Sequence, residues 1–579
     1  MSSNHKFNLK FSILFIKKIN LQYFLLLLIM EKKNFKNTQF GNNQEYKNLA
    51  SNTFYSFLIN YGSHFFTLIY SFFLARLIGD ESWGFLILAI SYITIIVIIT
   101  SFLPPGSNFA LNYFIPRYLA LDEKSKIKSL IKNAIIAKII FLLPIFILSL
   151  FFFNIFTDIF AINLKNKVPL LYVLSPLIIF KSLQFSLNAI NRGLYRFKQI
   201  LIFLIIREFL YIGPLFYFYI FQFPLEIELI AIFNLISAGV PFFLNLFSIL
   251  FIYLRIKTSG DKGESFKADF NKAFRYGSYL GYSNIIDRFW KEAQFQGIGI
   301  FGSEEAVTGY NIAWNYKDIA AYTVNSFNLP LLTSFSSLNT KENYDQVSLI
   351  YKIANKVTLF LVLLISGVLL FSVNFIIDFI FLSSRLVYSN FLRLLVLASI
   401  FMYLDSYVQT LLGSQNKVKS SFLLKLIYMT YYIPLFFIGL IYFGVEGAII
   451  LGLIVGSIIS MIIQIIATYQ IANIKLNIKK IIFQYLTFFI PLGVTLILEG
   501  LFFRETSFKI LQNLGLSLIV RFDFLSIGVF VILFLLTNLI LKIVTSSDIA
   551  YFETLFEKDR FFDKAMLKGL NLLKKVTRE

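Results

Sequence analysis

The sequence predicts an all-α polytopic membrane protein of about fourteen transmembrane helices, on three observations. Hydrophobic residues make up 57% of the 579 positions and mean hydropathy is +0.73. Apolar runs of helical length recur from the fifties to the 540s without the strict alternation of a barrel strand, and backbone groups in hydrocarbon need internal partners, so the spanning elements are helices. The loops between these runs alternate between basic and acidic.

In chain order, residues 1–50 are basic and rich in Asn. Their apolar patch, Tyr23 to Met30, is too short to span, and Met30-Glu-Lys-Lys reads as a polar start. A disordered, mis-extended or dispensable N-terminus is therefore preferred over a signal peptide or amphipathic anchor. Candidate spans then run from Thr53 to Ile78, Phe85 to Tyr113, Ala134 to Phe156, Leu170 to Ile190, Ile200 to Phe221 and Leu229 to Leu254. They continue from Tyr276 to Phe301, Val307 to Pro330, Val357 to Phe381, Leu386 to Leu412, Ser421 to Phe443, Ala448 to Ile471, Ile481 to Phe503 and Leu516 to Val544. Pro104-Pro105-Gly106 interrupts the second, since proline removes backbone donors and opens the helix, which a membrane tolerates beside protein or a cavity. The tail from Ser546 to Glu579 alternates acidic, apolar and basic residues and reads as an amphipathic helix lying on the inner leaflet or packing on the bundle.

Every second loop is basic: Arg117 to Lys132, Arg192 to Lys198, Arg255 to Lys272, Lys341 and Lys352, Lys417 and Lys419, and Lys475 to Lys480. The intervening loops carry Asp80 and Glu81, Asp158 with Lys165 and Lys167, Glu226 and Glu228, Glu304 and Glu305, Asp378 with Arg385, and Glu446. A miscounted span breaks that series, so both termini are expected in the cytoplasm of a cell (plasma or inner) membrane protein. The same bias accounts for the net charge of +21 without nucleic acid. With no cysteine, and His5 and His64 the only histidines, thiol chemistry and imidazole-based metal or triad sites are excluded.

A repeat organises the chain. Ala75-Arg-Leu-Ile-Gly-Asp-Glu-Ser-Trp-Gly84 echoes Gly299-Ile-Phe-Gly-Ser-Glu-Glu-Ala-Val-Thr-Gly-Tyr310, and Asn191-Arg-Gly-Leu-Tyr-Arg-Phe-Lys198 echoes Leu412-Gly-Ser-Gln-Asn-Lys-Val-Lys419. Both offsets are about 220 residues, or six spans, so the repeats share one orientation and face each other across a cleft. The expected division is a six-helix bundle over 51–256, a cytoplasmic linker over 257–274, a second six-helix bundle over 275–474, two additional helices over 475–545 and the tail over 546–579.

With Asn328-Leu-Pro-Leu-Leu332, these stretches resemble the polysaccharide or oligosaccharide flippase family (Wzx-type) of the multidrug/oligosaccharidyl-lipid/polysaccharide transporter superfamily, from about Ser51 to Val544. The resemblance implies two pseudo-symmetric bundles in a V around a central cavity. It also implies alternating access, and movement of a polyprenyl-linked saccharide from the cytoplasmic to the outer leaflet for surface polysaccharide assembly. The expected partners are the lipid-linked oligosaccharide, membrane lipids and glycan-assembly proteins. The chain is expected to work as a monomer, with no cofactor beyond a coupling H+ or Na+. It departs from the pattern in its first fifty residues, in its tail and in the charged run Asp287-Arg-Phe-Trp-Lys-Glu292.

That run supplies the candidate site. One charge at mid-bilayer costs roughly 2.5–3.5 kcal/mol on insertion scales, so the seventh span must face protein or water. Asp287 with Lys291 and Arg288 with Glu292 stand at i,i+4, which allows self-neutralisation or exchange of a carboxylate for a substrate phosphate. Arg207 and Glu208 point about 100° apart on a helix, so that either one faces the cleft while the other pairs with a neighbour or the two form an interfacial snorkelling pair near the cytoplasmic end. Asp405, between Tyr403 and Tyr407, is a protonation or cation site, a counter-charge to Arg288 or a hydrogen-bonded structural acid.

Arg76 and Arg117 at span ends read as snorkelling anchors or headgroup contacts. His64 reads as a packing residue. Asn60, Asn112, Gln294, Gln296, Asn311 and Asn315 are candidate sugar contacts or interhelical bridges. The substrate-binding set is therefore Arg288, Lys291, Arg207, Arg76 and Arg117, and the coupling or counter-charge set is Asp287, Glu292, Glu208 and Asp405. A drug/cation antiporter of the same superfamily favours acids at these depths. A membrane glycan polymerase or glycosyltransferase needs a large extramembrane loop with clustered acids, which is missing, so the expected function is transport and not catalysis.

Overall fold

The computed structural model describes residues 43–104, 106–159, 168–256, 265–340, 344–415, 417–499, 518–541 and 543. The N-terminal patch and the C-terminal tail lie outside them. The chain divides into residues 1–54 and 55–579, and the second unit carries the helical fold and the site.

The described residues form helices with no strand. The first half comprises α1 (Asn43–Leu77), α2 (Asp80–Phe102), α3 (Ser107–Ala120), α4 (Lys124–Ile159), α5 (Val168–Leu174), α6 (Pro176–Gly193), α7 (Phe197–Phe221) and α8 (Ile227–Arg255). The second begins with α9 (Phe266–Phe301), α10 (Glu304–Thr340) and α11 (Tyr344–Ile376), which ends in a π turn and a 3-10 turn. It continues with α12 (Ser389–Ser414), α13 (Val418–Gly447), α14 (Gly456–Gln470) entered through a π turn, α15 (Ile478–Leu498) and α16 (Leu518–Ile540).

Among the described residues, nine helical segments are long and apolar enough to cross a membrane. One of them, Val418–Gln470, reverses at Gly444, whose φ of 69° is left-handed. Beyond the bend the small residues of one arm of this hairpin receive the large ones of the other. A Cβ on Gly452 would lie 2.7 Å from the Phe436 backbone, and one on Gly456 would lie 2.6 Å from the Tyr432 ring. The sequence-predicted spans absent from the nine include α1, α9 and α10, where polar residues dilute the apolar signal.

Several helices outrun their apolar runs. α9 starts at Phe266, inside the expected linker, because Ser265 caps it by accepting from the Ala268 N–H and Asp269 sits in its first turn. Its 36 residues make a helix of roughly 54 Å, against a hydrocarbon core of about 30 Å, so both ends pass beyond the lipid tails. Apolarity marks where hydrocarbon lies, not where a helix stops.

The break at Pro104 is built as a joint. α2 ends at Phe102, the Leu103-Pro104 peptide is cis, and Gly106 takes φ 83° to start α3. The carbonyls that the break strands are taken by a fully buried cation: Lys138 of α4 donates to the Thr100 carbonyl and, at 3.0 Å, to that of Leu103. Asn108 of α3 donates back to the Ser101 carbonyl at 3.0 Å.

The two halves meet chiefly where α2 and α3 pack on α9 and α10. At one end of this seam Gly277 and Gly281 of α9 press on Gly106, with a Cβ on either meeting its backbone at 2.5 and 3.2 Å, and Asn133 donates to Asp269 at 2.8 Å. At the other end Gly84 packs against the Glu304 backbone, Thr308 donates to the Asp80 carbonyl at 2.7 Å, and Asp80 is ion-paired with Arg385. α15 and α16 pack on each other and on α11.

Candidate functional site

α9 divides its polar residues among three neighbours. Toward α13, Trp290 packs edge-on against Tyr432 and Phe436, and Gly297 lets Phe437 approach. Toward α10, Gln294 accepts from the Tyr310 hydroxyl and Phe295 packs edge-on against the Tyr310 ring. Toward α2, Ser91 donates to the Glu292 carbonyl at 3.2 Å and Gln296 donates to that of Leu88 at 2.9 Å. The depth-critical charges lie between these contacts and none is left to lipid alone.

Asp287 does not pair with Lys291, one turn on. Its ion-pair partner is Lys425, a buried lysine of α13. The expected local pairing gives way because α13 brings a second cation against α9, and a lysine buried there has no water to hold its charge. Arg288 likewise leaves Glu292: the residue is exposed, and its guanidinium stands 5.7 Å from the Phe102 ring of α2 and 5.0 Å from the Phe185 ring of α6, both in the opposite half. Lys291 lies 5.5 Å from the Trp314 ring of α10, and Lys317 lies 3.7 Å from the same ring and 3.3 Å from the Asp318 carboxylate. Glu292 feels the charges of Lys291 and of Lys181 on α6.

Arg207 and Glu208 pair with each other, in spite of their angular separation, with Nε donating to Oε1 at 2.9 Å; Glu208 is buried and Arg207 exposed. The arginine stem is long enough to curl back over one residue. The field of Arg207 reaches Lys181, as does that of Glu292, so α6 links the α7 pair to α9. His64 on α1, which the sequence assigns to packing, feels Asp318 and Lys291. Lys181, Arg207, Lys291 and Lys317 are thus linked with Glu208, Glu292 and Asp318, and Arg288 stands over Phe185, one turn along α6 from Lys181, so the cations are in excess.

The remaining candidates lie elsewhere. Arg76 donates to the carbonyls of Phe72, Ile380 and Phe379 and lies 3.6 Å from the Phe72 ring, so it joins α1 to the end of α11 at the Asp80 end of the seam. Arg117 is exposed in the last turn of α3. Asp405 is not the counter-charge of Arg288: it accepts from Gln409 at 2.9 Å and from Gln464 of α14 at 2.8 Å, inside the second half. Gln294 and Gln296 are engaged as interhelical bridges, and the Asn60 side chain lies outside the description.

Sequence reasoning missed Lys138, Lys181, Lys317, Asp318 and Lys425. Their signal was present as single charges inside apolar runs, as in Leu424-Lys425-Leu426 and Ala137-Lys138-Ile139.

Residues 49–336, which carry α9 and most of this cluster, match the family model described as polysaccharide biosynthesis protein. Over these residues the chain belongs to that family. Its fold is similar to that of the lipid II flippase MurJ in an inward closed conformation, with TM-score 0.62 and 17% identity over 84% of this chain and 98% of that one. It is also similar to an inward-facing multidrug resistance MATE family transporter of the MOP superfamily, with TM-score 0.57 and 14% identity over 69% and 92%. The MATE multidrug transporter DinF-BH gives TM-score 0.53 and 14% identity over 76% and 98%. No curated protein matches the chain in sequence. The chain shares the fold of these transporters, and its long apolar helices are those of a multi-pass membrane protein.

Proposed function

We propose that the transporter moves a polyprenyl-linked (pyro)phosphate oligosaccharide from the cytoplasmic to the outer leaflet of the cell membrane by alternating access, for surface polysaccharide assembly. The observation that carries this reading is the cationic excess at the middle of the seam, centred on the exposed Arg288 held over Phe102 and Phe185. A planar guanidinium and nearby ammonium groups recognise a diphosphate through charge-assisted hydrogen bonds. An organic cation would meet repulsion there.

In this reading both termini are cytoplasmic, which makes the Asp80 end of the seam external and the Gly106 end cytoplasmic. Asp287, Glu292 and Glu208 are the internal carboxylates that a phosphate displaces from their cations, and Asp405 is the candidate for H+ or Na+ coupling. The family match and the fold shared with a flippase support the proposal.

The test is surface glycan output in cells carrying Arg288→Ala with Lys291→Ala. Export is expected to fall to background while the protein reaches wild-type abundance in the membrane and the lipid-linked precursor accumulates. Normal glycan output at normal abundance would overturn the assignment. Extrusion of a cationic dye that persists undiminished through both substitutions would point to the antiporter instead.

A further inference from the structure

A second basic cavity lies away from the seam, where α15 begins. It is a half-open cleft of about 260 Å³ lined by Lys356 of α11, by Asn477, Lys479, Lys480, Phe483 and Gln484 at the start of α15, and by Leu541 and Ile543 after α16. Among these lining residues three are lysines from two helices and none is a carboxylate.

The walls are tied together. Gln484 donates to the Lys356 carbonyl at 2.9 Å, Asn477 caps α15 by accepting from the Lys480 N–H at 3.1 Å, and Thr537 of α16 donates to the Thr487 carbonyl at 3.3 Å. The cavity therefore does not depend on the long lysine side chains for its shape. Below it the α15 surface is apolar and open: Ile482, Leu486 and Phe489, at i, i+4 and i+7, are 55%, 40% and 41% exposed, and Ile540 beside them on α16 is 76% exposed.

We propose that this cavity binds the phosphate of an anionic glycerophospholipid, with the acyl chains lying on that stripe. The division of the site is that of an amphiphile: cations and an amide at the level where α15 leaves the aqueous side, then bare aliphatic and aromatic surface for at least two turns. Basic pockets between transmembrane helices hold anionic headgroups in this way. A soluble phosphate would use the lysines and leave the stripe unused. The site is separate from the seam and does not rest on what the seam transports.

The experiment is native mass spectrometry of the full chain released from nanodiscs of phosphatidylglycerol and phosphatidylcholine in equal parts. Wild-type protein is expected to retain phosphatidylglycerol in preference. Lys356→Gln with Lys479→Gln and Lys480→Gln is expected to lower that preference about threefold or more. A control triple of exposed lysines outside the cavity, Lys132→Gln, Lys198→Gln and Lys419→Gln, changes net charge equally and is expected to leave it intact. Equal loss in the control, or no preference in the wild type, overturns the proposal. Erasure of the preference by excess inorganic phosphate overturns the lipid assignment, because a site that needs the acyl chains is not emptied by the headgroup's anion alone.

Discussion

In the proposed topology the Asp80 end of the seam is external, and removing the carboxylate of Asp80 tests its closure most directly. Arg385 is almost fully buried, its side chain 4% exposed, and it is paired with Asp80, itself 23% exposed. Tyr388 donates to the same carboxylate at 2.9 Å. Stranding one member of a buried pair costs about 3–5 kcal/mol. Here the carbonyls of Ala75, Ile78 and Phe381 still accept from Arg385 after Asp80→Ala, so we take about 2 kcal/mol, a shift of about 30-fold toward separation of the halves at this end.

The chain has no cysteine, so a single Ser91→Cys reporter, at a position 2% exposed on the α2 face that meets α9, reads opening without background. A membrane-impermeant thiol reagent should label it about tenfold faster or more in the Asp80→Ala protein, from the external side only. Adding Arg385→Gln should bring the rate back toward wild type, because the stranded charge is gone. An unchanged rate with the same amount of folded protein would refute the reasoning, and so would a double variant that labels faster than either single one.

Other outcomes rest on the same contacts. Lys138→Met fills the same volume but leaves the Thr100 and Leu103 carbonyls at the α2 break without their donor; stability should fall by about 1–3 kcal/mol for each, and an unaltered thermal transition in detergent would count against this role. Gly277→Val places side-chain atoms where a Cβ alone would already meet the Gly106 Cα at 2.5 Å, so a Ser107→Cys reporter should label faster from the cytoplasmic side; no acceleration would mean that this crossing does not close that end. Asp405→Asn keeps an acceptor for one of Gln409 and Gln464, turns a donor toward the other and removes the charge, so transport should lose its dependence on an H+ or Na+ gradient, and a dependence that persists would rule Asp405 out as the coupling group.

What the sequence made legible is what one helix can show by itself. The apolar runs, the interruption at Pro104-Pro105-Gly106 and the charges Asp287 to Glu292 all depend on neighbours within a few residues. The partners were not legible. Asp287 meets Lys425 and Asp80 meets Arg385 across long stretches of chain, and the i,i+4 rule gave Asp287 a nearer lysine that it does not use. Local spacing states which pairs are possible, while burial of the competing cation decides which one forms. The same limit explains Arg76, which its place at a span end fitted better to an anchor than to a headgroup contact, but whose partners, the carbonyls ending α11, local spacing could not name.

In the proposed alternating-access cycle these contacts make the charged helix the element that couples the two ends. α9 touches the opposite half at both ends: Gly277 and Gly281 lie on Gly106, Gln296 binds Leu88, and a Cβ on Gly299 would meet the Leu88 side chain at 2.6 Å. A rigid helix of this length cannot separate from α2 at both ends at once without losing the seam, so opening one end favours closure at the other. Arg288, between the two, reaches aromatic rings of the first half from a backbone in the second. Its distance from Phe102 and Phe185 must change whenever the halves rock, and an anion held by Arg288 and Lys181 together would feel that change as a difference in affinity. Binding can drive the cycle only through such a difference.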